Sequence, residues 1–432
     1  MHLTIEKLVY GGDGLARLPA DDRGGGKAVF VPFVLAGEEV EAVVYGEKPG
    51  FARARAETIV TNSPYRVAPQ CPYFQHCGGC QYQHADYEHQ LAIKAAILRE
   101  NLRRIAKIEL QSELLIHPSP PWNYRNRARF KLQSAPEFAV GYYRLNSHEL
   151  LPVEQCPISS PLINRAITRL WEIGRTSSLA NAIEEIELFA NADDSQLMIE
   201  AFGSSDTESK QACAQLRELV PEGIGVAFFA APKTKRRTAP SEQAELVHSI
   251  GTANLEYGTK LANYRVSPGS FFQVNRHLID ELVEIVTSGR SGNTALDLYA
   301  GVGLFSLVLN REFERVIAVE SSPTSHADLL YNAPANVKAV RTPVEQYLQN
   351  RSGKLRPDFV VVDPPRSGLG ESVLRALGDL RAPRITYVSC DPATLARDLG
   401  RFLSAGYRIE QVHLVDLFPQ TFHVESVFHL VR

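Results

Sequence analysis

Apolar and polar residues follow three different rhythms along this 432-residue chain. From residue 1 to about 62 they alternate in steps of two, the period of a half-buried strand. Residues 3–10, 28–34, 39–45 and 51–59 read as short strands, with 11–14 and 21–26 as Gly- and Asp-rich turns. The pattern predicts a small OB-like β-barrel over 1–62, serving as a binding module or as a stabilising cap. Residues 89–105 then place Leu91, Ala95, Leu98, Leu102 and Ile105 at helical spacing, with Lys and Arg on the opposite face. Pro118, Pro120 and Pro121 end that segment. Strands follow at 127–132, 138–143, 186–190 and 196–201, interrupted by helical pieces near 161–174 and 206–219. That stretch reads as a β-rich middle domain.

From about residue 266 the rhythm becomes strand, helix, strand. Strands at 294–299, 315–320, 337–341, 358–363 and 385–389 are separated by helical segments, as in a parallel doubly wound sheet. Residues 409–417 and 425–431 are close enough to pair as a hairpin. The expected class is α/β, with a C-terminal Rossmann-like domain beside the two β-rich regions. A chain of this length exceeds one ordinary domain. No apolar run reaches the ~20 residues of a membrane span, and the start lacks an apolar signal-peptide core. A cytoplasmic protein without a membrane partner is expected.

The net charge of −3 and pI near 6.5 weigh mildly against a nucleic-acid partner. Distribution counts for more. Between Lys94 and Lys131 basic residues outnumber acidic ones (Arg99, Arg103, Arg104, Lys107, Arg125, Arg127, Arg129), and residues 233–237 form a second basic cluster. Each is either an ordinary solvated face or a grip on a phosphate backbone.

Residues 295–306, Ala-Leu-Asp-Leu-Tyr-Ala-Gly-Val-Gly-Leu-Phe-Ser, run from a strand through a Gly-rich turn into a helix. Such a turn lets the backbone approach a ligand, and Glu320 ends the next strand where an acid binds a ribose hydroxyl. Together they favour an adenosine-containing cofactor. Asp363, in Val-Asp-Pro-Pro-Arg, and Cys390, in Ser-Cys-Asp-Pro, end the following two strands on the rim where open α/β sheets bind ligands. Cys390 reads as a nucleophile rather than a buried structural thiol. Glu425 follows Phe418-Pro419 in a segment poor in other carboxylates, and by its placement alone it reads equally as an acid of the hairpin turn. A thiol and a carboxylate beside a methyl donor suit methylation of a carbon that is not nucleophilic alone, such as C5 of uracil. The thiolate activates C5 by adding to C6, and a general base then removes the C5 proton. Cys71-x5-Cys77-Gly-Gly-Cys80, with Cys156 as the candidate fourth ligand and Cys213 core-like, has a spacing that fits zinc or an iron–sulfur cluster alike.

With these residues the chain resembles the RNA uracil-C5 methyltransferase family over essentially its whole length, in the longer form with an N-terminal TRAM barrel. The Cys-Pro-Tyr-Phe-x2-Cys-Gly-Gly-Cys phrase resembles the family's cluster motif. The resemblance implies a [4Fe-4S] cluster on Cys71, Cys77, Cys80 and Cys156. It implies S-adenosylmethionine contacts at Gln273, Tyr299, Glu320 and Asp363, with Cys390 as nucleophile and Glu425 as base. It further implies an RNA substrate, 23S rRNA ahead of tRNA, and a monomer. By the same analogy residues 91–117 pack on 263–432, leaving 63–90 and 118–262 as a discontinuous middle domain. Two departures stand out: Leu304 replaces a polar residue of some members, and 172–250 carries no recognised motif. The competing readings are an exocyclic-amine base methyltransferase and a non-catalytic RNA-binding iron–sulfur protein.

Overall fold

The computed structural model describes residues 1–18, 26–176, 179–204, 207–230, 245–252, 254–351 and 355–432. The basic cluster at 233–237 and most of the turn expected at 21–26 lie outside them.

Six strands form the N-terminal sheet: His2–Thr4, Lys7–Leu8, Asp13–Arg17, Ala28–Pro32, Glu39–Lys48 and Phe51–Thr61. Alternate residues, among them Val29, Val31, Val40, Ala42, Ala52 and Ala54, fill its core. The strand expected over 3–10 is broken in two because its halves have different partners. Residues 2–4 pair with 39–41, whereas Lys7 and Leu8 pair with Leu15 and Gly14. Strand Asp13–Arg17 begins inside what the sequence presents as a turn, immediately after Gly12.

A second, seven-stranded sheet runs in the order Leu150–Pro152, Ala139–Tyr143, Arg127–Gln133, Ile183–Ala190, Leu197–Gly203, Gly223–Ala230, Glu245–Gly251. Helices Pro161–Gly174 and Thr207–Arg217 share its core, and Cys213 is buried there. Here the expectation for the basic 94–131 stretch is corrected. Arg127 pairs with Glu187 and Glu200, Arg129 with Glu187 and Lys131 with Glu185. Glu185 and Glu187 lie on the neighbouring strand Ile183–Ala190, and Glu200 lies one strand further along the sheet. Their charge is spent within the sheet. Of the basic residues in that stretch, Arg99, Arg103, Arg104 and Lys107 face solvent.

The largest sheet contains β1 (Leu114–His117), β2 (Gly292–Leu298), β3 (Phe313–Glu320), β4 (Val337–Arg341), β5 (Phe359–Val362), β6 (Arg384–Ser389), β7 (Arg408–Val415) and β8 (Glu425–Val431). Their order is β4-β3-β2-β5-β6-β8-β7-β1. β2 to β6 are parallel, β8 is antiparallel to both neighbours, and β1 lies parallel to β7 at the outer edge. Val360, Val361 and Val362 are fully buried, as a strand covered on both faces requires.

Helix α1 (Tyr87–Asn101) starts where Asp86 Oδ1 accepts a hydrogen bond from His89 N at 2.8 Å. It buries Ile93, Lys94, Ala95, Ile97 and Leu98. The expected division of faces thus fails at two residues. Lys94, assigned to the polar face, is fully enclosed, and Ile105 is exposed. A π turn over Leu102–Ala106 adds a residue to the helical repeat and rotates Ile105 out of the stripe.

Candidate active site

The strand order reverses between β2 and β5, and the carboxyl ends of these strands open a crevice there. Asp297, near the end of β2, is fully buried. Its Oδ2 accepts a hydrogen bond from Ser306 Oγ at 2.5 Å, and its Oδ1 has no hydrogen-bond partner among the described residues. Burial pushes its carboxyl up to about 7, against the hydrogen bonds from Ser306. Tyr299 follows with a left-handed φ of 66°, which a non-glycine residue adopts only under local constraint. Gly301 at φ 55° has open space where a Cβ would point, whereas a Cβ on Gly303 would lie 2.7 Å from Leu307. One glycine faces a void and the other permits helix packing. Glu320, closing β3, accepts from Gly301 N at 2.9 Å and from Ser322 N at 2.6 Å. Leu304 turns into the core beneath, and its carbonyl accepts from Tyr264 Oη at 3.0 Å. Gln273 is buried, and its carbonyl accepts from Asn126 Nδ2 at 3.4 Å.

Asp363 lies one residue beyond β5, Cys390 one beyond β6, and Glu425 opens β8. Ser389 pairs with Ser426 in the antiparallel β6–β8 ladder. One further step sets Cys390 opposite Glu425, close enough for cross-strand side chains to interact. Burial pushes the Cys390 thiol up to about 12, with the charges of Glu425 and Asp363 acting the same way and Arg366 opposing them. Glu425 is raised by burial and then by Asp363, again opposed by Arg366. Asp363 keeps some solvent-facing surface, yet burial of its carboxyl pushes it up to about 7, and the charge of Asp297 acts the same way. Three carboxyls, a thiol and one guanidinium therefore meet at the strand tips. Crowded like charges in a dry site share protons rather than all ionising.

The segment from Asp416 to Val424, leading into Glu425, is held from behind. Lys94 Nζ donates to Asp416 Oδ1 at 2.6 Å and to the Phe418 carbonyl at 2.9 Å. Tyr87 Oη donates to Asp416 Oδ2 at 2.8 Å, and Tyr124 Oη to the Pro419 carbonyl at 3.0 Å. The cysteine segment is tied to the same loop, since Gln81 N and Tyr82 N both donate to the Gln420 carbonyl at 3.0 Å. Sequence reasoning assigned no role to Lys94 beyond charge, to Arg366 or to His423. Arg366 Nη2 lies 3.4 Å from His423 Nε2, and burial together with that guanidinium pushes His423 down to about 4. The Asp-Pro-Pro-Arg phrase carried the signal for Arg366. Tyr10, whose hydroxyl donates to the Cys390 carbonyl at 3.3 Å across 380 residues, had none.

Cys71, Cys77, Cys80 and Cys156 line one cavity of about 250 Å³, together with Arg125 and Tyr142. Burial raises Cys71, Cys77 and Cys80, Cys77 to about 11, and the nearby Cys156 pushes each the same way. Among the described residues, no three or more His, Cys, Asp or Glu side chains form a group that could hold a metal ion.

Residues 86–432 match the family described as tRNA (Uracil-5-)-methyltransferase, and residues 1–56 match the TRAM domain. An uncharacterized RNA methyltransferase of Aquifex aeolicus is 35% identical, covering 99% of this chain and 97% of its own. The 23S rRNA (uracil(1939)-C(5))-methyltransferase RlmD of Klebsiella pneumoniae is 31% identical, covering 98% and 94%. The solved structure of the Pyrococcus abyssi tRNA (uracil-54, C5)-methyltransferase, in complex with S-adenosyl-L-homocysteine, is 24% identical. It covers all of both chains at a TM-score of 0.76, a likeness of fold. Sheet, crevice and matches together define an S-adenosylmethionine-dependent methyltransferase that acts on RNA. The chain belongs to the RNA uracil-C5 methyltransferase family, and it carries that family's catalytic fold behind an N-terminal TRAM domain. Among the described residues no helix is long and apolar enough to cross a membrane.

Proposed function

We propose that the enzyme methylates C5 of a uridine in 23S rRNA through a covalent adduct between Cys390 and C6. The observation that carries this reading is the register of β6 on β8, which sets a strand-tip thiol across from a buried carboxyl beside the cofactor crevice. As Cys390 Sγ bonds to C6, its proton passes to an ionised carboxylate of the Asp363–Glu425 pair and on to solvent. The electron pair pushed onto C5 makes that carbon a nucleophile. S-adenosylmethionine, bound in the crevice, supplies the electrophilic methyl group. Glu425 then removes the C5 proton, the C6–Sγ bond breaks, and the departing thiolate is reprotonated. Burial makes Glu425 a stronger base once it is ionised. Arg366 is the cation that favours the thiolate.

Gln273, Tyr299, Glu320 and Asp363 would hold S-adenosylmethionine, and the fit is supported by the unpartnered Asp297 Oδ1 and the void at Gly301. Preference for 23S rRNA over tRNA rests on relatives named for it that align over nearly the whole chain. The same reading divides the chain into a barrel at 1–62, a middle domain at 63–90 and 118–262, and a methyltransferase domain at 91–117 and 263–432.

Incubation with RNA containing 5-fluorouracil tests the mechanism, because fluorine cannot be removed as a proton. Mass spectrometry should find a methylated protein–RNA adduct with the unmutated enzyme and none with Cys390→Ala. Glu425→Gln should accumulate the adduct even on ordinary RNA. Methylation that persists in Cys390→Ala would instead favour an amine target.

A [4Fe-4S] cluster on Cys71, Cys77, Cys80 and Cys156 is supported by the one cavity of about 250 Å³ that all four thiols line. Its place is structural, since no step of the reaction is a redox step. Anaerobically purified protein should contain iron and acid-labile sulfide in equal amounts, with Cys80→Ser losing both. Zinc in their place would overturn the assignment.

A further inference from the structure

The barrel reaches the reacting strand tips through the reversal at its Val9–Asp13 turn. Its Val9–Asp13 reversal is closed by hydrogen bonds from Val9 N to the Asp13 carbonyl at 2.9 Å and from Gly12 N to the Val9 carbonyl at 3.1 Å. Gly11 and Gly12 turn through left-handed backbone, at φ 109° and 96°. At Gly12 the reversal is pressed against the cysteine segment, where an added Cβ would lie 2.8 Å from Gln81 Cβ. Tyr10 projects from this tip. Its ring packs edge-on against Phe422 with centroids 5.3 Å apart, and Phe422 in turn packs against His423 at 4.3 Å. Its hydroxyl donates to the Cys390 carbonyl. Cys390 is the single residue between the end of β6 and Asp391, which caps helix Pro392–Ser404 by accepting from Ala393 N and Thr394 N. Strand and helix fix the two sides of that residue, and Tyr10 holds the carbonyl between them.

We propose that Tyr10 is a positioning residue for Cys390, so that the N-terminal barrel completes the catalytic centre and is not solely a tether for RNA. This rests on the reading of Cys390 as the nucleophile. Fixing the Cys390 carbonyl fixes the peptide that carries the thiol, and so the line along which Sγ approaches C6. A small angular error in a nucleophile costs rate without costing substrate affinity. The hydroxyl also lies near Asp391 and Arg366, and burial keeps it protonated and able to donate.

Tyr10→Phe removes the hydroxyl and keeps the ring on Phe422. Single-turnover adduct formation with 5-fluorouracil RNA is expected to slow about tenfold, as a nucleophile held less well in line would. KM for RNA, RNA affinity and the melting temperature should stay at their unmutated values. Gly12→Ala, which wedges the tip away from Gln81, should slow the same step while leaving the hydroxyl in place. An unchanged rate in Tyr10→Phe, or a loss that lies in RNA affinity, overturns the proposal. Alkylation of Cys390 by iodoacetamide in RNA-free protein, read by mass spectrometry, decides the matter independently. It should speed up severalfold in Tyr10→Phe, and an unchanged rate sinks the role of Tyr10. Absence of any adduct from unmutated protein would remove Cys390 as nucleophile, a separate failure.

Discussion

Asp297 shows how a residue can be recognised in sequence while its physics stays hidden. The Gly-rich phrase marked a carboxylate near a ligand, yet only the fold shows one oxygen bonded to Ser306 and the other without a partner in a sealed site. An aspartate ordinarily titrating near 3.8 is pushed to about 7 here. Between those values the folded protein holds a proton that the unfolded chain has released. Stability of the cofactor-free enzyme should therefore fall as pH rises from about 4 to about 7, with the penalty fully present above that. Asp363 and Glu425 are shifted in the same direction. Asp297→Asn should make this decline shallower in urea-melt midpoints taken across the window. An equal or steeper decline would show that Asp297 is not the group responsible. Cys390 and Glu425 were legible as a pair because their flanking phrases are unusual. Tyr10 was not, since a tyrosine in a strand-rich segment is most simply a core or surface residue.

At the scale of elements, strand alternation and helical spacing located β2 to β8, and the helices at 161–174 and 207–217 nearly to the residue. Several failures come from pairing that no single segment displays, and Ile105 fails for a local reason, the π turn over Leu102–Ala106. β1 is four residues long and exists because β7 offers an open edge. Strands Gly223–Ala230 and Glu245–Gly251 are held by pairing to each other and to Leu197–Gly203, not by a strong pattern of their own. Helix α1 turns a lysine inward because Asp416 waits there. Burial lowers the pKa of Lys94 and Asp416 raises it, with burial the larger of the two. Lys94→Met would leave Asp416 enclosed with Tyr87 as its remaining side-chain donor, and should cost about 3–5 kcal/mol in urea melts, as breaking a buried ion pair does. Lys94→Met with Asp416→Leu should recover most of that loss. A neutral single variant would mean that the other contacts on the loop leading to Glu425, among them those of Tyr87, Tyr124, Gln81 and Tyr82, hold it without Lys94.

For the molecule as a whole, charge is arranged against a simple reading of the sequence. Arg127, Arg129 and Lys131 look available for phosphates and are engaged by Glu185, Glu187 and Glu200. The exposed cations beyond α1 remain. Arg103→Glu combined with Arg104→Glu should weaken RNA binding and reduce the salt dependence of log Kd by about two. Arg129→Gln should leave that slope unchanged and lower the melting temperature instead. Equal slopes in both variants would place the phosphate contacts elsewhere. One last consequence comes from β1. The chain joins the outer edge of the catalytic sheet at 114–117, leaves it, and re-enters through β2 at 292. Most of what lies between, the seven-stranded sheet included, is an excursion whose two ends are moored to the same rigid platform, while Tyr124 reaches back to the loop leading into Glu425. Such an excursion can be lengthened, trimmed or recontoured by selection without moving the strand tips where bonds change.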